Sequence, residues 1–126
     1  MEKNTEKKIV TTEMFLAKKK VIDEKPEPFY SATFGGYIEI ENTHGDAFVE
    51  SLNSSEDKAY LNSRIIYENC PQFRDSVLLE EYGVKDPYDL PRVMYGSKVV
   101  EFYQLGDAIL SIYGYNSDVV EQTKKK

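Results

Sequence analysis

Helical hydrophobic periodicity from Tyr67 to Tyr113 is broken at short intervals by residues that end one helix and start the next. The interruptions are Cys70-Pro71, Gly83, Asp86-Pro87, Leu90-Pro91 and Gly96-Ser97. The segments between them are rich in aliphatic and aromatic residues at helical spacing. This stretch therefore predicts several short helices around an aromatic core, and its special residues indicate helix boundaries rather than chemistry.

The strongest predicted helix runs from Lys98 to Tyr113, with Ser97 as its cap. Its apolar residues leave only a narrow polar stripe, so we expect the helix to be central or interfacial. Gly106 lies inside it and lowers helix stability by about 1 kcal/mol relative to Ala. We therefore expect a neighbouring element to cross this helix closely at Gly106.

Other helices are predicted from caps and shorter apolar patterns. One ends near Asn69 and has Ser54 or Ser55 as its cap, with acidic residues in its first turn. Another contains Val77 to Tyr82 and is ended by Gly83 in the left-handed conformation. Asp86-Pro87 is typical of a cap followed by the first helical residue. Two further short helices are predicted, from Glu13 to Lys20 with Thr11 or Thr12 as cap, and from about Asp46 to Leu52.

A β-hairpin is predicted near the N-terminus, where the β-prone runs 29–34 and 37–41 flank Gly35-Gly36. In the second run Ile38 and Ile40 alternate with polar or amphipathic residues, so one face should be buried. A lone hairpin is marginal, so its Ile face must pack on helices or pair with another chain. The predicted fold is therefore α+β, a mainly helical single domain with an N-terminal β-hairpin.

The 126 residues suit one domain. Low periodicity and polar composition predict a flexible arm over residues 1–10 and a flexible tail over 116–126, leaving residues 11–115 as the single domain. Pro26 and Pro28 favour an extended linker between the first helix and the hairpin.

Charge limits the classes of partner. Residues 26–115 hold 6 Lys or Arg and 15 acids, a net −9 that repels phosphate backbones, so nucleic-acid binding is not expected. Lys18-Lys19-Lys20 is interpreted as a solvated helix end rather than a membrane-binding segment. No apolar run approaches the ~20 residues needed to cross a bilayer, and no secretory signal is visible. A cytoplasmic protein without membrane partners is expected.

Candidate chemical groups are few. His44 is the single histidine and is interpreted as part of a solvated turn, because no second ligand type clusters nearby. Cys70 has no Lys or Arg within a few residues on its N-terminal side to stabilise a thiolate, so we expect a buried packing thiol. Acidic pairs such as Glu39 and Glu41 are interpreted as solvated faces among 22 acids. We expect no catalytic residue, cofactor or metal, and a protein that is not an enzyme.

Aromatic residues offer a different kind of site. The chain contains ten tyrosines, which are favoured both in small cores and at interfaces, and the sequence leaves these two roles about equally supported. From aromatic content and position, the candidate partner-binding residues are Phe15, Tyr37, Tyr88, Tyr95, Phe102 and Tyr103.

Several segments together resemble the XkdN-like tail assembly chaperones of tailed phages. They are 15–20 (FLAKKK), 36–40 (GYIEI), 67–71 (YENCP), 79–83 (LEEYG) and 86–89 (DPYD), and their order and spacing span about residues 12–115. The resemblance implies a non-enzymatic assembly factor in the cytoplasm of a bacterial host. Such a factor binds the tape measure protein, contacts the tail tube protein and self-associates.

Two alternatives stay open. An acidic inhibitor or immunity protein would use the −9 body to bind a basic partner. A structural subunit of the phage tail would remain in the mature particle, whereas a chaperone would leave it.

Overall fold

The computed structural model describes residues 7–22, 25–42 and 46–114. These residues form six α-helices and one antiparallel hairpin, which confirms the predicted mainly helical α+β architecture. The elements are α1 (Thr12–Ile22), β1 (Phe29–Ser31), β2 (Gly36–Ile38), α2 (Asp46–Leu52), α3 (Lys58–Asn69), α4 (Ser76–Tyr82), α5 (Leu90–Tyr95) and α6 (Val99–Ile112), with 3₁₀ turns at Pro71–Phe73 and Pro87–Asp89.

The core lies between α3, α5, α6 and the inner face of the hairpin. Ile38 is buried at the end of β2 and Ile40 just beyond it, as their alternation predicted. They join a cluster of buried residues that includes Ile65, Ile66, Phe73, Tyr95, Phe102, Leu105 and Ile109. Burying each such side chain contributes roughly 1.5–3 kcal/mol, so the short hairpin is stabilised mainly by the helical body beneath it.

The expected close crossing at Gly106 is present between α6 and α3. A Cβ added at Gly106 would lie 1.7 Å from Oδ1 of Asn62, so only glycine fits at this approach. Asn62 is buried and its Nδ2 donates to the Phe102 carbonyl oxygen at 2.9 Å. The helix-weakening residue thus gives α3 access to the backbone of α6.

Two of the predicted helix caps are wrong. The helix that ends at Asn69 is capped by Asp57, whose Oδ1 accepts from the N–H groups of Ala59 and Tyr60, and not by Ser54 or Ser55. Ser54 instead donates to the Ser51 carbonyl after α2, and Asp57 precedes the first turn rather than lying in it. The helix α6 starts at Val99 after Lys98, which makes no side-chain cap, so Ser97 is not the cap either.

Other boundaries follow the sequence. Thr11 caps α1 through its hydroxyl, which accepts from the Met14 N–H. Gly83 ends α4 with φ of +65°, and Asp86 caps the 3₁₀ turn before α5.

No helix formed by the described residues is long and apolar enough to cross a membrane. Residues 1–6 of the predicted arm, His44, and the predicted tail lie outside the described residues.

The turn of the hairpin differs from the two-residue Gly-Gly turn that the sequence predicted. Ser31 pairs with Gly36, so residues 32–35 form the turn and Gly36 belongs to β2. Gly35 has φ of +75°, and its N–H donates to the Ser31 carbonyl at 2.8 Å. The strands are therefore shorter than predicted, at three residues each.

Candidate functional site

Two of the six candidate binding residues are core residues. Tyr95 is 2% exposed and Phe102 is 3% exposed, and their rings pack 5.9 Å apart between centroids. Their assignment to a binding surface is corrected by the structure, because neither ring can meet a partner in the folded chain. Phe102 lies on α6, which is apolar almost all round, so its sequence does not reveal which aromatic residue faces inward.

Tyr88 is half-buried and takes part in a contact within the protein. The Arg64 guanidinium lies 4.4 Å from the centre of its ring, and Tyr67 meets the ring edge-on at 5.6 Å. The Arg64 side chain is 13% exposed, and its Nε lies 3.5 Å from a Glu68 oxygen without hydrogen-bond geometry. Burial raises the pKa of Tyr88, and the nearby Glu68 carboxylate raises it further. These contacts attach the 3₁₀ turn before α5 to α3.

The remaining three candidates are exposed but lie on separate elements. Phe15 is 68% exposed on α1, Tyr37 is 63% exposed on β2, and Tyr103 is exposed on α6. The structure therefore does not gather the six residues into one site. Of the three, Tyr37 lies beside a recess of the surface.

That recess, which we call the hairpin groove, is lined by Phe34, Gly36, Tyr37, Ile38, Gln72, Phe73 and Met94 and has a volume of about 280 Å³. Tyr30 extends its aromatic surface, because its ring meets that of Tyr37 edge-on at 5.2 Å. The Phe34 ring packs against the buried Tyr95 ring, with 4.9 Å between the ring centroids, and Phe34 remains 42% exposed. Of the residues that line this groove, only Tyr37 was among the six candidate binding residues predicted from the sequence.

Part of the groove could have been found from the sequence. Tyr30 and Tyr37 are directly opposed in the strand pairing, so a correct register would have placed them side by side on the wet face. Gln72, Phe73 and Met94 come from distant parts of the chain and carry no such local signal.

One wall of the groove is made by the carboxamide of Gln72. Its Oε1 accepts from the Glu39 N–H at 2.5 Å, and its Nε2 donates to the Tyr37 carbonyl at 3.2 Å. A side chain thus satisfies the backbone groups that the outer edge of β2 would offer to a neighbouring strand. Gln72 itself is exposed, so this edge is closed by two hydrogen bonds and not by burial.

At the other end of the hairpin, the Glu101 carboxylate on α6 holds the turn. Its oxygens accept from the Ser31 hydroxyl at 2.6 Å, the Tyr95 hydroxyl at 2.7 Å, and both the N–H and the hydroxyl of Thr33 at 3.0 Å. Burial raises the pKa of Glu101, but these hydrogen bonds outweigh it and lower the pKa below its ordinary value. The position of the hairpin groove therefore depends on an ionised Glu101.

Cys70 is the one thiol that was considered for chemistry. Cys70 is a buried free thiol, as expected, and burial raises its pKa to about 12 even though Arg74 acts in the opposite direction. Such a thiol does not ionise near neutral pH. Within the described ranges, no group of three or more His, Cys, Asp or Glu side chains could hold a metal ion.

Comparisons with protein-family models, with curated proteins and with solved structures found no match to this chain. By its architecture and surface, the protein is a mainly helical α+β domain whose short hairpin presents an aromatic groove.

Proposed function

We propose that the protein is a non-enzymatic phage tail assembly chaperone that binds an apolar segment of the tape measure protein in the hairpin groove. The observation that carries the proposal is the exposure of aromatic side chains at this groove, above all Tyr37 and its neighbours Tyr30 and Phe34. The setting of this activity would be the cytoplasm of a bacterial host cell.

The groove has the properties that a binding surface needs. Tyrosine offers a large apolar ring, few rotatable bonds and a polar tip, so it gains contact area at a low cost in conformational entropy. Gly36 leaves the floor of the groove open, while Phe73 and Met94 supply an apolar wall. The flexible thioether of Met94 can adjust to clients of different shape. An apolar client segment would be shielded there from aggregation.

The choice of client rests on the sequence. The order and spacing of the segments between residues 12 and 115 resemble XkdN-like tail assembly chaperones, and one such segment, 36–40, includes the strand that lines the groove. The tail tube protein is the second proposed partner on the same ground. The net charge of −6 adds repulsion between complexes and so favours keeping a bound client dispersed.

The test is co-expression with the tape measure protein, scoring the soluble fraction of that client and its co-purification. We expect a stoichiometric complex with the wild-type chain and its loss in the Tyr30→Ser, Tyr37→Ser double variant. Tyr82→Ser is the matched control, because Tyr82 is an exposed tyrosine on α4 outside the groove. An insoluble client, or a complex that survives the double substitution, would contradict the proposal. Equal loss of the complex in the Tyr82→Ser control would contradict the assignment of binding to the groove.

An acidic inhibitor is the second candidate, and the charge of the body supports it: residues 25–114 hold 7 Lys or Arg and 15 acids, a net −8. The two functions differ in salt dependence. Binding of a basic partner by the acidic body should weaken steeply with ionic strength, whereas binding of an apolar client should change little. Measuring the dissociation constant at low and high salt separates them.

A further inference from the structure

The outer edge of β2 is bonded by a side chain at the place where a neighbouring strand would bond it. The Gln72 carboxamide accepts from the Glu39 N–H at 2.5 Å and donates to the Tyr37 carbonyl at 3.2 Å. These two backbone groups flank Ile38, and one residue of a parallel neighbouring strand would bond the same pair. Because a carboxamide carries the same N–H donor and C=O acceptor as a peptide group, Gln72 takes the place of one residue of a third strand.

The two bonds of Gln72 can be broken without disturbing the fold. Gln72 lies in the 3₁₀ turn Pro71–Phe73, which the buried Phe73 ring attaches to the core, whereas the Gln72 side chain is exposed. The carboxamide can therefore rotate away while the backbone of the turn stays in place. Neutral hydrogen bonds at an exposed site contribute little net stability, so backbone groups of a bound segment can replace both.

Open space lies beside this edge. Gly36, Tyr37, Phe73 and Met94 are among the residues that line the hairpin groove, and a Cβ added at Gly36 would meet no atom of the described chain within 4 Å. Successive side chains of a strand point to opposite faces. A segment paired with β2 would therefore direct every second side chain into the apolar groove.

We propose that the client segment adds to β2 as a third strand, and that the Gln72 carboxamide is the group that it displaces. Main-chain hydrogen bonds then supply affinity, while the groove selects the side chains at alternate positions. The preferred segment is extended, with β-branched or aromatic residues at every second position and no proline among the residues that bond β2. This inference rests on the proposed function, because it names how the same client is bound.

The test uses the full chain and short overlapping peptides that cover the tape measure protein, with dissociation constants measured by fluorescence anisotropy. Gln72→Ala removes the competing carboxamide, and Glu39→Pro removes the N–H that the segment would bond. Gln104→Ala is the matched control, since Gln104 is exposed on α6. Circular dichroism checks that each variant is folded. The tightest peptide is also N-methylated at one backbone nitrogen at a time, which tests strand addition without altering the protein.

We expect Gln72→Ala to lower the dissociation constant of the tightest peptide about fivefold, because the segment no longer displaces two hydrogen bonds. Gln104→Ala should leave it unchanged, and Glu39→Pro should raise it at least about tenfold. N-methylation should weaken binding at every second peptide residue, because only alternate N–H groups of a strand face its neighbour.

Weaker or unchanged binding by Gln72→Ala would overturn the proposal, since Gln72 would then be an ordinary contact of the groove. So would N-methylation that weakens binding at consecutive residues or at none. A full-length client that co-purifies while none of its peptides binds would overturn strand addition but leave the proposed chaperone function standing. A client that binds neither as peptides nor at full length would overturn both.

Discussion

Replacing Glu101 with glutamine tests how the hairpin is held on the helical body. Glutamine has nearly the same shape but keeps a single acceptor oxygen, and its NH₂ group would face hydroxyls that now donate to the carboxylate. Thr33 can still donate to the remaining oxygen. Ser31 and Tyr95, which are both buried, would lose their charged acceptor.

The expected cost follows from those two bonds. A hydrogen bond to a charged group contributes about 1.5–3 kcal/mol, and the partial exposure of Glu101 favours the lower end of that range. We therefore expect Glu101→Gln to lower the free energy of unfolding by roughly 3 kcal/mol at neutral pH, measured by urea unfolding with circular dichroism. Glu80→Gln makes the same change at an exposed site on α4 and should cost less than about 0.5 kcal/mol.

The same substitution should change how the free energy of unfolding falls with decreasing pH, which we call the acid limb of the stability profile. Because the folded pKa of Glu101 is lowered, its contribution is present above the unfolded pKa, near 4.5, and is lost as pH falls through the folded value. Wild type should therefore lose stability below about pH 4.5 more steeply than Glu101→Gln. A loss under about 1 kcal/mol at neutral pH, or identical acid limbs, would refute the assignment of Glu101 as the anchor of the hairpin.

Three further predictions concern the crossing, the strand edge and the thiol. Gly106→Ala should destabilise the protein by about 2 kcal/mol, because the added Cβ displaces Asn62. In an Asn62→Ala background, which removes the clash, the same change should be neutral or stabilising, and urea unfolding of the two single variants and the double variant measures this. Gln72→Leu should lower stability by about 1 kcal/mol and increase light scattering on storage, because it opens the edge of β2, whereas Gln104→Leu at an exposed site of α6 should not increase scattering. Cys70 should react with a thiol reagent only as fast as the protein unfolds, and rapid reaction in native buffer would contradict its burial.

Much of the fold could be predicted because it depends on local rules. The alternation of Ile38 and Ile40 gave the buried face of the hairpin, and a lone Gly106 in an apolar helix gave the crossing. The turn was wrong because its conformation is fixed by a residue that lies 70 positions away, where Glu101 accepts from the Ser31 hydroxyl. Glycines indicate that a turn exists, but not which residues pair around it.

The candidate site could be predicted less well, for a related reason. Tyr37 is exposed, as expected of a tyrosine on the wet face of a strand. Tyr95 and Phe102 were misplaced because aromatic content alone does not show which face of a helix is buried. The groove itself combines the hairpin with Gln72, Phe73 and Met94, so its existence depends on tertiary packing.

The way the hairpin is held has a consequence for how the groove can adapt. Strands of three residues cannot keep a shape alone, so the groove depends on Ile38 in the core, Glu101 at the turn and Gln72 at the edge. Of these, the contact of Gln72 is exposed and neutral, and therefore the least costly to break. A bound segment that extends along β2 would replace both bonds of Gln72 with its own backbone groups while Glu101 keeps the turn in place. Adaptation to different bound segments should therefore occur at the Gln72 wall.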